Sequence, residues 1–263
     1  LEKNAVILLS GGIDSAVTLA QAKDKKFKPQ AISFDYGQRH KVELDSAKKV
    51  AAFFEIEEHL IFPIDLTLFG SSALTSDIAV PKDRPIFDKK PVVRESSPEK
   101  QEALNYEQSP LCNKIANGKR YIPASCGIPV TYVPARNTIF LSVALAFAEV
   151  TASRDIFIGA NAVDYSGYPD CRPEFLEVFE KMANLATSFS IGGPRIKIHA
   201  PLMYLSKAEI IKKGEKLGVD FSLTHSCYDP TPEGLHCGRC DSCQYRKKGF
   251  IEAKIADPTR YAQ

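Results

Sequence analysis

An apolar run, Ala5 to Leu9, ends abruptly in Ser10-Gly11-Gly12, and Asp14 and Ser15 follow at once. The run "AVILL" (5–9) predicts a fully buried strand, and the spacing after it predicts a helix from Asp14 to about Lys23. Two glycines at the joint open backbone angles closed to other residues and let a ligand approach the main chain. The start of the helix aims unpaired N–H groups and a positive dipole end at the same spot. That is an anion site, and phosphate is its commonest occupant. Ser10 and Ser15 add hydroxyls. The Asp14 carboxylate would repel a bare phosphate, so it reads as a ligand for Mg²⁺ or as an N-terminal helix cap. A Walker A loop needs a Lys that this loop lacks, and the G-x-G-x-x-G of dinucleotide folds is absent.

The pattern continues as strand, helix, strand. "AISFDYG" (31–37) and "HLIFPID" (59–65) read as strands, with a helix from Val42 to Phe54 between them. Such alternation implies a parallel sheet with right-handed crossovers, an α/β class with a single doubly wound sheet. Further on come a strongly apolar helix expected to be buried on most sides (137–154), a strand (155–161), a helix (174–189) and a strand (196–202). Ser206 and Glu209 form a capping-box pattern that opens a helix stopping at Gly218. Residues 81–125, rich in Pro, Ser and charge, break the pattern and read as a lid, an arm or a partly disordered loop. The expectation is one domain over 1–263, interrupted by this excursion. At 44% apolar and 25% charged, its 263 residues are enough for a sizeable core. A net charge of +2 gives little support to a nucleic-acid partner. No apolar run is long enough to span a membrane and no secretory leader is recognisable, so a soluble cytoplasmic protein is expected.

Seven cysteines in such a protein suggest metal or catalysis before disulfides. Four of them, Cys227, Cys237, Cys240 and Cys243, cluster in "SCYDPTPEGLHCGRCDSCQYR" (226–246), within a segment at about 222–250. The short C-x2-C steps let thiolates converge on one ion. Four protein ligands close a tetrahedral shell and leave no open position, as in a structural zinc site. An iron–sulfur cluster is the rival that spacing alone leaves open, a redox C-x-x-C a weaker one. His225 and His236 flank the cysteines as competing ligands. Cys112 and Cys126 fall in the excursion and read as incidental. Cys171 is a conceivable nucleophile without an evident base nearby in sequence.

The block "LSGGIDS" (9–15) resembles the PP-loop of the N-type ATP pyrophosphatases, which cleave ATP between its α and β phosphates. The resemblance implies a PP-loop, adenine-nucleotide-hydrolase-like and Rossmann-like fold. It also implies an ATP-binding segment of Leu9, Ser10, Gly11, Gly12, Ile13, Asp14, Ser15, Ala16, Val17, Thr18 and Leu19. "LSKAEI" (205–210) resembles the later segment of that superfamily in which a Lys approaches the phosphates. Asp14, Ser15 and Lys207 are therefore the candidate catalytic residues. Together with "FDYGQRH" (34–40), "YVPARN" (132–137), "SGYPDCRPEF" (166–175) and the terminal cysteines, the pattern resembles the 7-cyano-7-deazaguanine synthase family of queuosine biosynthesis. It covers nearly the whole chain apart from 81–125, an excursion longer than the family pattern implies.

That resemblance implies a ligase joining 7-carboxy-7-deazaguanine and ammonia through two rounds of adenylation, with Mg²⁺ accompanying ATP and a homodimer as the assembly. For the flat acceptor, Tyr168 or Phe175 would stack, Asp170 would accept from the guanine-type N–H groups, and Arg172 would pair with an anionic group. Arg136 and Asn137, at the start of the apolar helix, form a second candidate anion site. No glutaminase domain is apparent, so free or delivered ammonia is the expected nitrogen source. The rival readings are a PP-loop tRNA thiolase or lysidine-type ligase, and a zinc-bearing nucleic-acid or protein adaptor.

Overall fold

The computed structural model describes residues 3–84, 114–116, 119–121, 128–163, 168–191 and 195–262. Along the chain these form β1 (Lys3–Leu8), α1 (Ile13–Asp24), β2 (Phe27–Asp35), α2 (Val42–Phe53), β3 (His59–Pro63), β4 (Lys114–Ala116) and β5 (Lys119–Tyr121). Then follow α3 (Arg136–Val150), β6 (Asp155–Phe157), α4 (Pro173–Ala186), β7 (Lys197–His199), α5 (Lys207–Lys216) and α6 (Asp241–Ala253). Five strands make one parallel sheet in the order β3-β2-β1-β6-β7. β4 and β5 pair antiparallel as a separate ribbon within the expected excursion. Most of that stretch, with Cys112 and Cys126, lies outside the described residues.

The unbroken apolar run of β1 has a direct cause. Side chains of a strand alternate between faces, and β1 is covered on both. Ala5 and Ile7, with Leu9 just beyond the strand, pack with Leu19 of α1, Val50 of α2, Ile211 of α5 and Phe250 of α6. Val6 and Leu8 pack with Leu141 and Leu145 of α3 and Phe179 of α4. The sheet is therefore doubly wound. Chain order runs outward from β1 to β3 on one side and through β6 to β7 on the other. That reversal opens a crevice at the carboxyl ends of β1 and β6.

Several elements differ from the sequence expectation for identifiable reasons. β6 stops at Phe157, not Asn161. A Cβ on Gly159 would stand 3.1 Å from the Asp14 carbonyl carbon and from the Ser15 nitrogen, so the chain bends where the start of α1 packs on it. Ile158 N–H still donates to His199 O at 2.9 Å beyond the strand. The helix expected over 137–154 ends at Val150, and it is not buried on most sides. Leu141, Ala144, Leu145 and Ala148 face the core, while Ser142, Ala146 and Val150 are exposed. The apolar count of this helix overstated its burial because alanines occupy both faces. α5 follows the expectation closely. Glu209 N–H donates to Ser206 Oγ at 3.3 Å, Ser206 N–H donates to the Glu209 carboxylate at 2.8 Å, and Gly218 takes a φ of 75° past the end.

Candidate active site

The loop between β1 and α1 sits at the crevice. Gly11 has a φ of 84°, and a Cβ there would lie 2.4 Å from Glu43 O and 2.6 Å from Ala47 N. No side chain fits, because the start of α2 presses against the loop. Ser10 Oγ donates to Ser15 Oγ at 3.1 Å, and Ser15 Oγ donates to Gly12 O at 3.0 Å. Gly12, not Asp14, occupies the capping position of α1. The Asp14 carboxylate instead accepts from Lys207 Nζ at 2.7 and 2.9 Å. Lys207 is the first residue of α5 and is buried, so it is no surface lysine.

Leu9, Ser10, Gly12, Ile13, Asp14, Ser15 and Lys207 line a single cavity. Ala16, Val17 and Leu19 lie behind it in the core, Thr18 is buried, and Gly11 provides the tight turn. The other walls come from three places. Phe34 and Tyr36 stand at the end of β2, Glu43 at the start of α2, and Arg136, Asn137 and Phe140 in the first turns of α3. The Phe34 and Phe140 rings stack at 3.9 Å with 3° between planes. The Arg136 guanidinium lies 5.9 Å from the centre of the Tyr36 ring. Burial opposes the Arg136 charge, but Tyr36, Tyr168 and Asp170 outweigh it and hold the guanidinium more firmly protonated than usual. Burial pushes the Tyr36 phenol up, so it stays neutral. Burial also pushes the Glu43 carboxyl up to about 7, with Arg136 pulling the other way.

The residues singled out from "SGYPDCRPEF" separate. Tyr168 and Cys171 line the cavity, whereas Asp170, Arg172 and Phe175 do not. Asp170 Oδ2 accepts from Asn137 N–H at 2.9 Å, and Asn137 Nδ2 donates to Asp170 O at 3.0 Å. The anion position at the start of α3 is thus filled by a carboxylate of the chain itself. Arg172 is exposed, and Phe175 packs 6.0 Å from Phe179 in the α3–α4 core. The Cys171 thiol accepts from Asn137 Nδ2 at 3.2 Å. Burial, with Asp170 adding to it, pushes that thiol up to about 12. It is not poised as a thiolate nucleophile. Sequence reasoning passed over Glu43, Phe140 and Tyr228. The proximity of Glu43 to "FDYGQRH" was the only signal for it.

The four clustered cysteines converge. Their sulfurs all lie within 4.8 Å of one another, with Cys227–Cys240 and Cys237–Cys243 each at 4.0 Å. A single tetrahedral ion with metal–sulfur bonds of about 2.3 Å would hold its sulfurs roughly 3.8 Å apart. Backbone N–H groups of Asp229 and Cys237 donate to Cys227 Sγ at 3.4 and 3.2 Å, which suits thiolates. None of the described cysteines is in a disulfide. His236 Nε2 accepts from Ser226 N–H at 3.2 Å, so that ring is already committed. The segment leading into Cys227 lies against the loop between β1 and α1. His225 N–H donates to Gly11 O at 2.9 Å, and a Cβ on Gly12 would meet His225 O at 3.5 Å and Ser226 Oγ at 3.9 Å.

A family model described as Queuosine biosynthesis protein QueC matches residues 4–95 and 102–254. A 7-cyano-7-deazaguanine synthase of Paramagnetospirillum magneticum is 55% identical over 260 residues, covering 99% of each chain. One of Myxococcus xanthus is 53% identical over 261 residues, covering 99% of this chain and 98% of the other. The match runs through most of 81–125, so this stretch is shared with relatives and is not the departure that the motif spacing suggested. With a model that spans all but short stretches and relatives that agree at more than half of their positions end to end, the chain belongs to the queuosine biosynthesis protein QueC family.

Proposed function

We propose that this protein is a 7-cyano-7-deazaguanine synthase, an ATP-dependent carbon–nitrogen ligase of queuosine-precursor synthesis. The observation that carries the reading is one cavity. Its lining includes both the Ser10–Ser15 loop with the Asp14–Lys207 pair and the stacked Phe34 and Phe140 rings. The loop suits a pyrophosphate, and the Phe34–Phe140 wall suits a planar heterocycle.

The acceptor carboxylate attacks the α phosphorus of ATP. The new P–O bond replaces the bond to the β-phosphate oxygen, and pyrophosphate departs into the hydroxyl and N–H donors at the start of α1. Donors fixed before the reaction need no reorganisation as charge develops on the leaving group. Ammonia then adds to the acyl carbon, loses a proton and expels AMP, leaving an amide. A second ATP takes the amide oxygen onto its α phosphorus, with loss of pyrophosphate. Loss of AMP and the remaining N–H protons yields the nitrile. Ammonia enters free or delivered by another protein.

Magnesium, when bound with ATP, supplies charge neutralisation for the leaving group. Asp14 is its candidate ligand in the loop, through lone pairs that Lys207 leaves free. Zinc is the metal we assign to Cys227, Cys237, Cys240 and Cys243, as a closed structural site. An iron–sulfur core between these sulfurs would spread them further apart. The whole chain acts as one PP-loop domain. Its partners are ATP, 7-carboxy-7-deazaguanine and ammonia, with no nucleic acid.

We further infer a cytoplasmic homodimer. No helix among the described residues is long and apolar enough to cross a membrane. Val178 and Leu185 of α4 and the nearby Ile191 are 62%, 84% and 86% exposed, an apolar surface suited to a second copy. The test of the activity is mass spectrometry of the deazapurine after incubation with ATP and ammonium. The nitrile is the expected product, and recovery of unchanged acid overturns the reading.

A further inference from the structure

Two carboxylates line the cavity, Asp14 and Glu43. Asp14 is held in place by Lys207, with both oxygens accepting from its Nζ. Asp170, the acid that the motif pointed to, is engaged at the start of α3 and does not reach the cavity. The Glu43 carboxylate, in the first turn of α2, has no hydrogen bond or ion pair to any described residue. Its place is fixed from behind, because the α2 backbone at Glu43 closes on Gly11 with no room for a side chain. Around it stand the Tyr36 phenol and the Arg136 guanidinium, and the stacked Phe34 and Phe140 rings share the same cavity.

We propose that Glu43 is the specificity residue for the acceptor, holding the donor edge of the deazaguanine ring. This rests on the synthase reading above. A guanine-type edge presents a ring N–H and an exocyclic amino N–H side by side. Two carboxylate oxygens match such a pair in the way they match a guanidinium fork. A carboxylate has no donor to offer, so Glu43 selects rings with that edge and rejects those that present acceptors there. The raised affinity of the half-buried Glu43 carboxyl for its proton is the expected state of such a group waiting for donors.

The experiment uses the full chain, with 7-carboxy-7-deazaguanine and its analogue lacking the 2-amino group as acceptors. In the wild type the analogue should show a KM raised about 10- to 100-fold, the effect of losing a hydrogen bond to a charged group. Glu43→Gln should raise the KM for the parent acceptor by a similar factor, leave the KM for ATP within about twofold, and bring the two acceptors close to parity. Glu43→Asp, which keeps the charge on a shorter arm, should retain the preference at reduced affinity. Calorimetric titration of the wild type with each acceptor gives the same comparison should the Gln variant fail to fold. An unchanged acceptor preference in Glu43→Gln, a rise in the ATP KM instead, or equal wild-type binding of both acceptors overturns the assignment of Glu43 and leaves the synthase reading standing. A wild type that neither binds nor converts either acceptor overturns both.

Discussion

Lys207 Nζ donates to both oxygens of Asp14, at 2.7 and 2.9 Å, across 193 positions of sequence. The pair joins the start of α5 to the loop that begins α1. Neither side chain is well exposed, at 8% for Lys207 and 20% for Asp14. It therefore fixes one wall of the cavity and places a cation there.

Removing one partner should hurt twice. Lys207→Met strands a mostly buried carboxylate, and we expect a loss of about 3 kcal/mol of stability. Asp14→Asn with Lys207→Met should recover most of that loss, because no charge is left unpaired. ATP turnover should stay reduced about 100- to 1,000-fold in the double variant, roughly 2.7–4 kcal/mol of transition-state stabilisation. Chemical denaturation paired with pyrophosphate release separates the two effects. Recovery of turnover along with stability would show that the pair is only structural.

Ser15→Ala should fold and fail to turn over ATP. Its hydroxyl accepts from Ser10 and donates to Gly12 O, so its loss disturbs the loop without opening a core cavity. Near-normal pyrophosphate release from the folded variant would contradict the catalytic reading of the loop.

Metal should matter to ATP although none of the four clustered cysteines lines the cavity. His225, two residues before Cys227, bonds the Gly11 carbonyl, and Ser226 lies beside Gly12. Metal analysis should find one zinc per chain. Stripping it, or Cys240→Ser, should raise the KM for ATP more than that for the acceptor. Iron with sulfide in the purified protein, or full ATP affinity after metal removal, counts against this coupling.

Acceptor binding should depend on pH through Glu43. In the free site its carboxyl titrates at about 7, raised by burial and lowered in part by Arg136, while the neighbouring Tyr36 phenol stays neutral. Donor groups on the acceptor require the ionised form. Affinity should therefore be weak below that pH, rise through it and level off above. Binding measured without ATP or ammonium keeps ammonia chemistry out of the profile. Glu43→Gln should flatten it.

The parts of this molecule legible from sequence are those set by local rules. β1 is apolar at every position from Ala5 because both of its faces are covered. Ser206 and Glu209 meet within one helical turn, and the C-x2-C steps bring sulfurs together over a few residues. The rest depended on long-range packing. From its motif Asp170 reads as a substrate contact, yet its carboxylate is held by Asn137, 33 residues away. Glu43 looks like an ordinary acid in the first turn of a surface helix, and only the approach of α2 to Gly11 places it in the cavity. The alanines of α3 pack or face solvent depending on neighbours that a local pattern does not contain.

Two adenylations of one acceptor in this cavity are tested most directly by the nucleotide stoichiometry of the reaction with 7-carboxy-7-deazaguanine, ammonium and ATP, followed by chromatography of nucleotides alongside the deazapurine. Two AMP and two pyrophosphate are expected for each nitrile formed, with no ADP. ADP as the main nucleotide product, or an amide accumulating as the end product at one AMP each, would contradict this.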